Sequence, residues 1–315
     1  MVSVIMLTYN QEAHVRQALD SVLSQETAFP FEVLVGDDGS TDGTPALIQA
    51  VADAHPDRVR FIRRRENVGA AYNAYDLLMR SRGRYLAFCE GDDYWTDPAK
   101  LARQVSFLEA HPEFIGCAHR CLLVDEDGRP LARQRLSWVK TRPRFSFSDF
   151  QGGKYLPGQT ATIVKRNIFL DRGRGRDWSV LYAANRNVSD RMTTAVYLLE
   201  GDFACLDETM SAYRQTTRHG GENVTSRQFK DNEDKCRDEL AMTRTLEEYA
   251  SAALGRAIRF SRKRSDILLD ALIGFLRRRD GKSRGDVRLL SRETTAGEKL
   301  LLFPAAVEKL KNKLA

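Results

Sequence analysis

The chain predicts an α/β fold: a sheet with helices on both faces, followed by a helical C-terminal extension. Three observations lead there. Short apolar runs alternate with amphipathic stretches through residues 1–125. Three of those runs end in polar residues, Thr8-Tyr9-Asn10, Asp37-Asp38-Gly39-Ser40 and Glu90-Gly91-Asp92-Asp93. From about Gln228 onward, helical periodicity takes over. Repeated βαβ units imply parallel strands joined by right-handed crossovers.

The elements follow in order. Val2–Thr8 is a first strand. A helix from about Glu12 carries Val15, Ala18, Leu19, Val22 and Leu23 on one face, and Asn10 is placed to cap it. Phe31–Gly36 is a second strand. Thr44-Pro45 reads as an N-cap and first-turn proline for a helix with Leu47, Ile48, Val51 and Ala52 inward. Arg58–Ile62 is a third strand, with a helix from near Gly69 to Arg80 after it. Tyr85–Cys89 is a fourth strand running into the acids, and Pro98 opens the next helix. Beyond Ile115 the pattern loosens. Asp125–Gly128 reads as a turn, residues 137–160 as a long loop and Thr160–Val164 as a strand. Ser189–Leu199 reads as a helix, and Phe203–Leu206 and Met210–Tyr213 as two short strands.

Composition narrows the class. The chain has 315 residues, 42% hydrophobic and 29% charged, enough for one large domain or a domain plus an extension. Its five cysteines are odd in number and scattered, which fits neither a disulfide framework nor a zinc site. A reducing cytoplasm is expected. Val2–Leu7 has no basic leader and no small-residue cleavage site, so it reads as a strand and not a signal peptide. Residues 1–228 hold 29 basic and 29 acidic residues, and 229–315 hold 20 and 14, so the net +6 sits in the C-terminal third. No nucleic-acid partner is expected. The stripe Ile267, Leu268, Ala271, Leu272, Phe275 and Leu276, ending in Arg277–Arg279, reads as a face packed on its own domain or a partner helix, or as a surface docking at the inner face of a membrane.

The three polar strand ends should share one edge of the sheet, where open α/β sheets bind ligands. Asp38 could accept hydrogen bonds from a base or ribose, and Tyr9 offers a ring to a base. An oxygen-only cluster at Glu90, Asp92 and Asp93 suits Mg²⁺ or Mn²⁺ shared with a diphosphate. Each also has a plain structural reading, as a turn, a helix cap or a solvated loop.

Together, Val4–Asn10, Val35–Thr44, Glu66–Gly69 and Glu90–Trp95 resemble family-2 glycosyltransferases of the GT-A fold, strongly over about residues 1–125 and weakly to about 220. The resemblance implies a Rossmann-like mixed sheet flanked by helices. It implies an inverting transferase that uses a nucleotide-diphosphate sugar, most often a UDP-sugar, and a divalent cation, Mn²⁺ or Mg²⁺. The acceptor would be a hydroxyl on a glycan or lipid-linked oligosaccharide in cell-surface polysaccharide synthesis. Residues 1–225 would form the transferase domain, with donor binding in 1–125 and acceptor binding in 126–225, and 226–315 a basic helical extension.

Carried onto this chain, Thr8, Tyr9, Asn10, Glu12, Asp38, Asn67 and Gly69 would surround the nucleotide. Glu90, Gly91, Asp92 and Asp93 would form the diphosphate end, with Asp92 as metal ligand and Glu90 in place of the family's first Asp. Tyr72 stands where relatives often carry a donor-contacting arginine. Asp190 is the expected catalytic base, with Asp177 and Glu222 in reserve, and His219 a candidate second metal ligand beside Arg214 and Arg218. The aromatic and basic loop from Trp138 to Tyr155 reads as an acceptor platform or as core. A nucleotidyltransferase would show a Gly-rich, Arg-containing loop after the first strand, and Thr8–Glu12 has none. An inactive relative that still binds the nucleotide sugar is the other alternative.

Overall fold

The computed structural model describes residues 1–134, 143–171, 175–184, 190–215, 232–278, 287, 291–292 and 294–300. They fall into two compact units, one within Met1–Gly221 and the other mainly Glu222–Ala315.

The first unit is a mixed sheet with helices on both faces. Its strands are β1 (Val2–Thr8), β2 (Phe31–Asp37), β3 (Val59–Arg63), β4 (Tyr85–Phe88), β5 (Tyr94–Trp95), β6 (Phe114–Val124), β7 (Arg144–Phe145), β8 (Val164–Arg166) and β9 (Asp202–Arg214). They lie in the order β3-β2-β1-β4-β8-β6-β9-β5, with β7 also on β9. The β1–β2, β1–β4, β2–β3 and β6–β9 pairs are parallel. β8 runs antiparallel between β4 and β6 and joins the two parallel halves.

Continuous Val/Ile-rich runs make β1 and β2 strands that are buried on both faces. Val2, Val4, Met6, Val33, Val35 and Ala87 form one core with α1 (Val15–Leu23), α2 (Thr44–Ala54) and α4 (Lys100–Ala110). On the opposite face Ile5, Leu34 and Leu86 are buried, and α3 (Ala70–Arg80) covers β1 and β2 with Leu77 and Leu78. Short helices α5 (Phe147–Gln151) and α6 (Val180–Ala183) precede α7 (Asp190–Leu198), which packs on β9.

Several elements differ from the sequence reading. The first helix starts at Val15, because residues 11–14 are tied into a turn. Asn10 does not cap it. Asn10 is left-handed (φ 52°), and its Oδ1 accepts from the Thr41 N–H at 2.9 Å. Gly43 is the N-cap of α2, and Thr44 already lies inside the helix. Thr160–Thr162 is a 3₁₀ turn braced by the Gln159 side chain, so the strand begins at Val164. The two short strands after α7 are one, β9, whose middle residues Asp207 and Glu208 are solvent-facing.

The second unit contains α8 (Asn232–Leu254), α9 (Ser261–Arg278) and α10 (Ala296–Leu300). Ile267, Leu268 and Ala271 are buried against Cys236 and Leu240, so this part of the stripe is a packed face. Lys263–Glu239 and Arg264–Glu247 ion pairs flank it. Thr295 and Glu298 cap α10 reciprocally. Among the described residues no helix is long and apolar enough to cross a membrane. All five cysteines are free thiols.

Candidate active site

Strand register brings the three polar ends side by side. Thr8 pairs with Asp37 across β1–β2, the Asp38 N–H donates to the Thr8 carbonyl at 2.9 Å, and the Gly91 N–H donates to the Leu7 carbonyl at 3.0 Å. Behind Thr8, the buried Asp37 carboxylate accepts from the Ser40 N–H and hydroxyl.

Most of the predicted nucleotide residues also hold loops together. Asp38 is buried, and its two carboxylate oxygens accept from the Val68 and Gly69 N–H groups at 2.8 and 3.0 Å. It thereby docks the Asn67–Gly69 loop that opens α3. Gly39 makes that approach feasible: its φ is +75°, and a Cβ there would lie 2.6 Å from the Glu66 backbone. The Asn10 N–H donates to Ser40 Oγ, and Glu12 Oε2 accepts from the Gly43 N–H at 2.8 Å. Asn10 and Glu12 therefore stitch the β1–α1 loop to the β2–α2 loop. Tyr9 is 48% exposed and leaves its ring open at this edge. Asn67 is also exposed.

Tyr72 does not leave its surroundings without an arginine. The Arg64 guanidinium lies over the Tyr72 ring at 5.6 Å, held by Asn73 Oδ1 and Asp76 Oδ2 at 2.9 Å each. Tyr75 and Tyr182 complete an aromatic cluster with Tyr72.

Glu90, Asp92 and Asp93 have carboxylate oxygens within 4.8 Å of one another. Such crowding favours the neutral acids. Burial, then Asp92, then Asp190 push the Glu90 carboxyl up to about 8. Burial also raises Asp92, opposed by Arg214 and Gln11. Asp93 goes well up through burial and its two acidic neighbours.

Asp93 is fixed structurally: it accepts from Gln159 Nε2 at 2.9 Å and from the Arg214 N–H at 3.0 Å. The Arg214 side chain binds the Asp92 carbonyl (2.9 Å), the Glu126 carbonyl (2.7 Å) and Gln17 Oε1 (2.7 Å). It therefore clamps the acidic loop from behind. At the front, Gln11 Oε1 is buried without a hydrogen-bond donor among the described residues, and a Cβ on Gly91 would lie 2.3 Å from it. An acceptor left unmet beside crowded carboxylates is a donor set that suits a hard divalent cation.

Asp190 opens α7, and its Oδ1 accepts from the Arg191 N–H at 2.7 Å. Burial raises its carboxyl, opposed by Arg191 and, more weakly, by Lys165. Asp190 and Glu90 line one cavity of about 40 Å³. Asp177 is exposed and caps a turn through the Ser179 N–H, away from that cavity's lining. His219, Arg218 and Glu222, and Trp138, Lys140 and Arg142 of the aromatic loop, lie outside the described residues. Phe145 and Phe150 of that loop are core residues. Gln11, Gln159 and Lys165 escaped the sequence reading, because each matters through a partner distant in the chain.

The family model for glycosyl transferase family 2 matches residues 3–171. The uncharacterized protein Rv1520 of Mycobacterium tuberculosis is 38% identical over 214 residues, 68% of this chain and 58% of that protein. The chain thus spans under two thirds of the length of such relatives. WfaP of Escherichia coli, a UDP-Glc:alpha-D-GlcNAc-diphosphoundecaprenol beta-1,3-glucosyltransferase, is 34% identical over 115 residues, 36% of this chain and 44% of WfaP. The crystal structure of S. aureus TarS 1–349 in complex with UDP-GlcNAc superposes with a TM-score of 0.56 at 17% identity, covering 94% of this chain and 93% of that one, a likeness of GT-A-type fold.

Proposed function

This chain belongs to glycosyl transferase family 2, and from that premise we propose that it moves one sugar, with inversion, from a nucleotide-diphosphate donor to an acceptor hydroxyl. The carrying observation is the convergence of Thr8, Asp38, Glu90 and Asp92 at one sheet edge, with Asp190 on the cavity that Glu90 lines. Tyr9 gives the base a ring to stack on, and Asp38 holds the Asn67–Gly69 loop against the nucleotide. Asp92, with Glu90 beside it, would hold Mn²⁺ or Mg²⁺, and His219 is a further candidate ligand. When bound, the cation neutralises the donor diphosphate and the departing nucleoside diphosphate.

In the transfer, the acceptor oxygen forms its bond to the anomeric carbon as the carbon–phosphate-oxygen bond breaks. The acceptor proton goes to the Asp190 carboxylate. The raised affinity of Asp190 for a proton suits a general base near neutral pH. We assign the reaction to the first unit. The activity for which WfaP is named supports a UDP-sugar donor and a lipid-linked acceptor in cell-surface glycan synthesis.

The test is a panel of nucleotide sugars with Mn²⁺. One donor should release its nucleoside diphosphate, Asp92→Asn should abolish that release, and Asp190→Asn should slow it by about 10²-fold or more. Pyrophosphate release would mark a nucleotidyltransferase. No turnover of any donor despite nucleotide-sugar binding would mark an inactive relative.

A further inference from the structure

The cavity shared by Asp190 and Glu90 has a cationic member that the transfer chemistry leaves unused. Lys165 is the middle residue of β8 and is 4% exposed. Its strand neighbours are Leu86 on β4 and Gly116 on β6. A Cβ at Gly116 would lie 2.8 Å from the Lys165 Cβ, so the lysine stem occupies room that only a glycine opposite leaves free.

The ammonium stands 4.5 Å from the Phe88 ring centroid and 4.2 Å from that of Tyr197. Two aromatic faces favour a cation but leave its three N–H donors without oxygen acceptors. Among the described residues the Lys165 ammonium makes neither a hydrogen bond nor an ion pair within 4 Å. Burial pulls its proton affinity down to about 7, and Asp190 acts against that fall. A buried lysine with no oxygen partner is costly to keep, and here it lines the cavity instead of packing into the core.

The surroundings of that cavity decide what the ammonium faces. β1 and α3 contribute only apolar residues, and the turn before β8 contributes Thr160. α7 contributes Asp190, Thr193 and Thr194, and the loop after β4 contributes Glu90. The charged groups there are thus two carboxylates and one ammonium. A volume of about 40 Å³ holds one or two waters that could link the ammonium to the carboxylates.

We propose that Lys165 is a positioning residue for the transfer: across the cavity its ammonium keeps the Asp190 carboxylate ionised and oriented to receive the acceptor proton. The proposal rests on Asp190 as base. Burial drives Asp190 toward its neutral form, and a neutral acid cannot take a proton. Arg191 opposes this from α7, with its own guanidinium over the Tyr155 ring at 4.5 Å. Lys165 opposes it from inside the cavity.

The experiment titrates the full chain by NMR with ¹³Cγ-labelled aspartate, in the absence of cation and substrate. Asp190→Asn removes one resonance and so assigns it. Lys165→Met should move that resonance's midpoint upward by about one pH unit, a tenfold change in proton affinity. Lys165→Arg should keep it near the wild-type value. Met matches the lysine stem without its charge, so the thermal midpoint should stay level or rise. A midpoint unmoved in Lys165→Met overturns the proposal. The pH dependence of UDP-glucose turnover with Mn²⁺ separates the two levels. An acid limb displaced upward in Lys165→Met supports the role in catalysis. Turnover that survives Asp190→Asn refutes Asp190 as base, and the NMR midpoint then reports on the Lys165–Asp190 coupling alone.

Discussion

Replacing Glu90 with Gln should stabilise the protein, and the gain should depend on pH. Glu90 sits among carboxylates, and burial with Asp92 and Asp190 pushes it up to about 8. Its folded-state proton affinity therefore exceeds that of the unfolded chain, near 4.5. Stability tied to the neutral acid is fully present below the unfolded value. It is lost as pH rises from there toward the folded value. At ~1.4 kcal/mol per tenfold change in affinity, the gap sets a ceiling of ~5 kcal/mol. Glu90 is partly solvated and shares its charge with two neighbours, so about 1–3 kcal/mol is the expected share. Urea unfolding of wild type and Glu90→Gln, both freed of metal with a chelator, measures it. At pH 8 the variant should be more stable by that amount, and at pH 5 the two curves should nearly coincide. A variant no more stable at pH 8, or one whose advantage is the same at pH 5, would refute the reasoning. Adding Mn²⁺ at pH 8 should narrow the gap, since a cation that binds only the folded wild type adds to its stability by mass action.

Other outcomes follow from the same geometry. Asp190→Asn should lower kcat by about 10²-fold or more with little change in KM, read from nucleoside diphosphate release, because a base acts mainly in the transition state. Gly91→Ala should displace Gln11, since the new Cβ falls 2.3 Å from Gln11 Oε1 and 2.7 Å from Thr8 Cγ2. Calorimetry should then show weakened Mn²⁺ binding, and unchanged affinity would separate Gln11 from the cation site. Arg214→Met should cost about 2–3 kcal/mol in chemical unfolding, because it strands the carbonyls of Asp92 and Glu126 behind the acidic loop.

The parallel half of the fold was legible because its signals are local. Continuous apolar runs such as Val33-Leu34-Val35 mark buried strands, and Leu77 and Leu78 recur on one face of α3. The antiparallel half was harder. Asp207-Glu208 looks like a turn, yet β9 runs straight through it because β6 pairs on both sides of a bulged stretch. Thr160–Thr162 has strand-like composition, but the Gln159 side chain accepts from Ala161 N and closes a 3₁₀ turn. At the site, the acidic cluster could be read from residue type and position, whereas Asp190 as base is an expectation of the family resemblance. The stitching by Asn10 and Glu12 could not, because their partners are about 30 residues away along the chain. Lys165 was still less visible: a lysine just past the expected strand Thr160–Val164 looks solvated, and its stem packs opposite Gly116 in another strand.

The three acids after β4 do not share one task, and that separates a binding loop from a turn. Asp93 is braced on both oxygens by Gln159 and the Arg214 N–H, which is sufficient to fix the loop. Arg214 also takes the Asp92 backbone carbonyl and leaves the Asp92 side chain free to face Gln11 and Glu90. A chain that needed only a tight connection between β4 and β5 would gain nothing from Glu90 and Asp92, since burial raises every carboxyl in the cluster and acidic neighbours add to it at Glu90 and Asp93. Their repulsion is a standing cost to the fold, and the unmet Gln11 oxygen adds to it. A positively charged ligand offsets both at once. Lys165 shares a cavity with Glu90 but makes no ion pair with it, and Arg214 is held on the loop's backbone carbonyls. Judged on the described residues, the offset we propose is a divalent cation bound at the front of the loop.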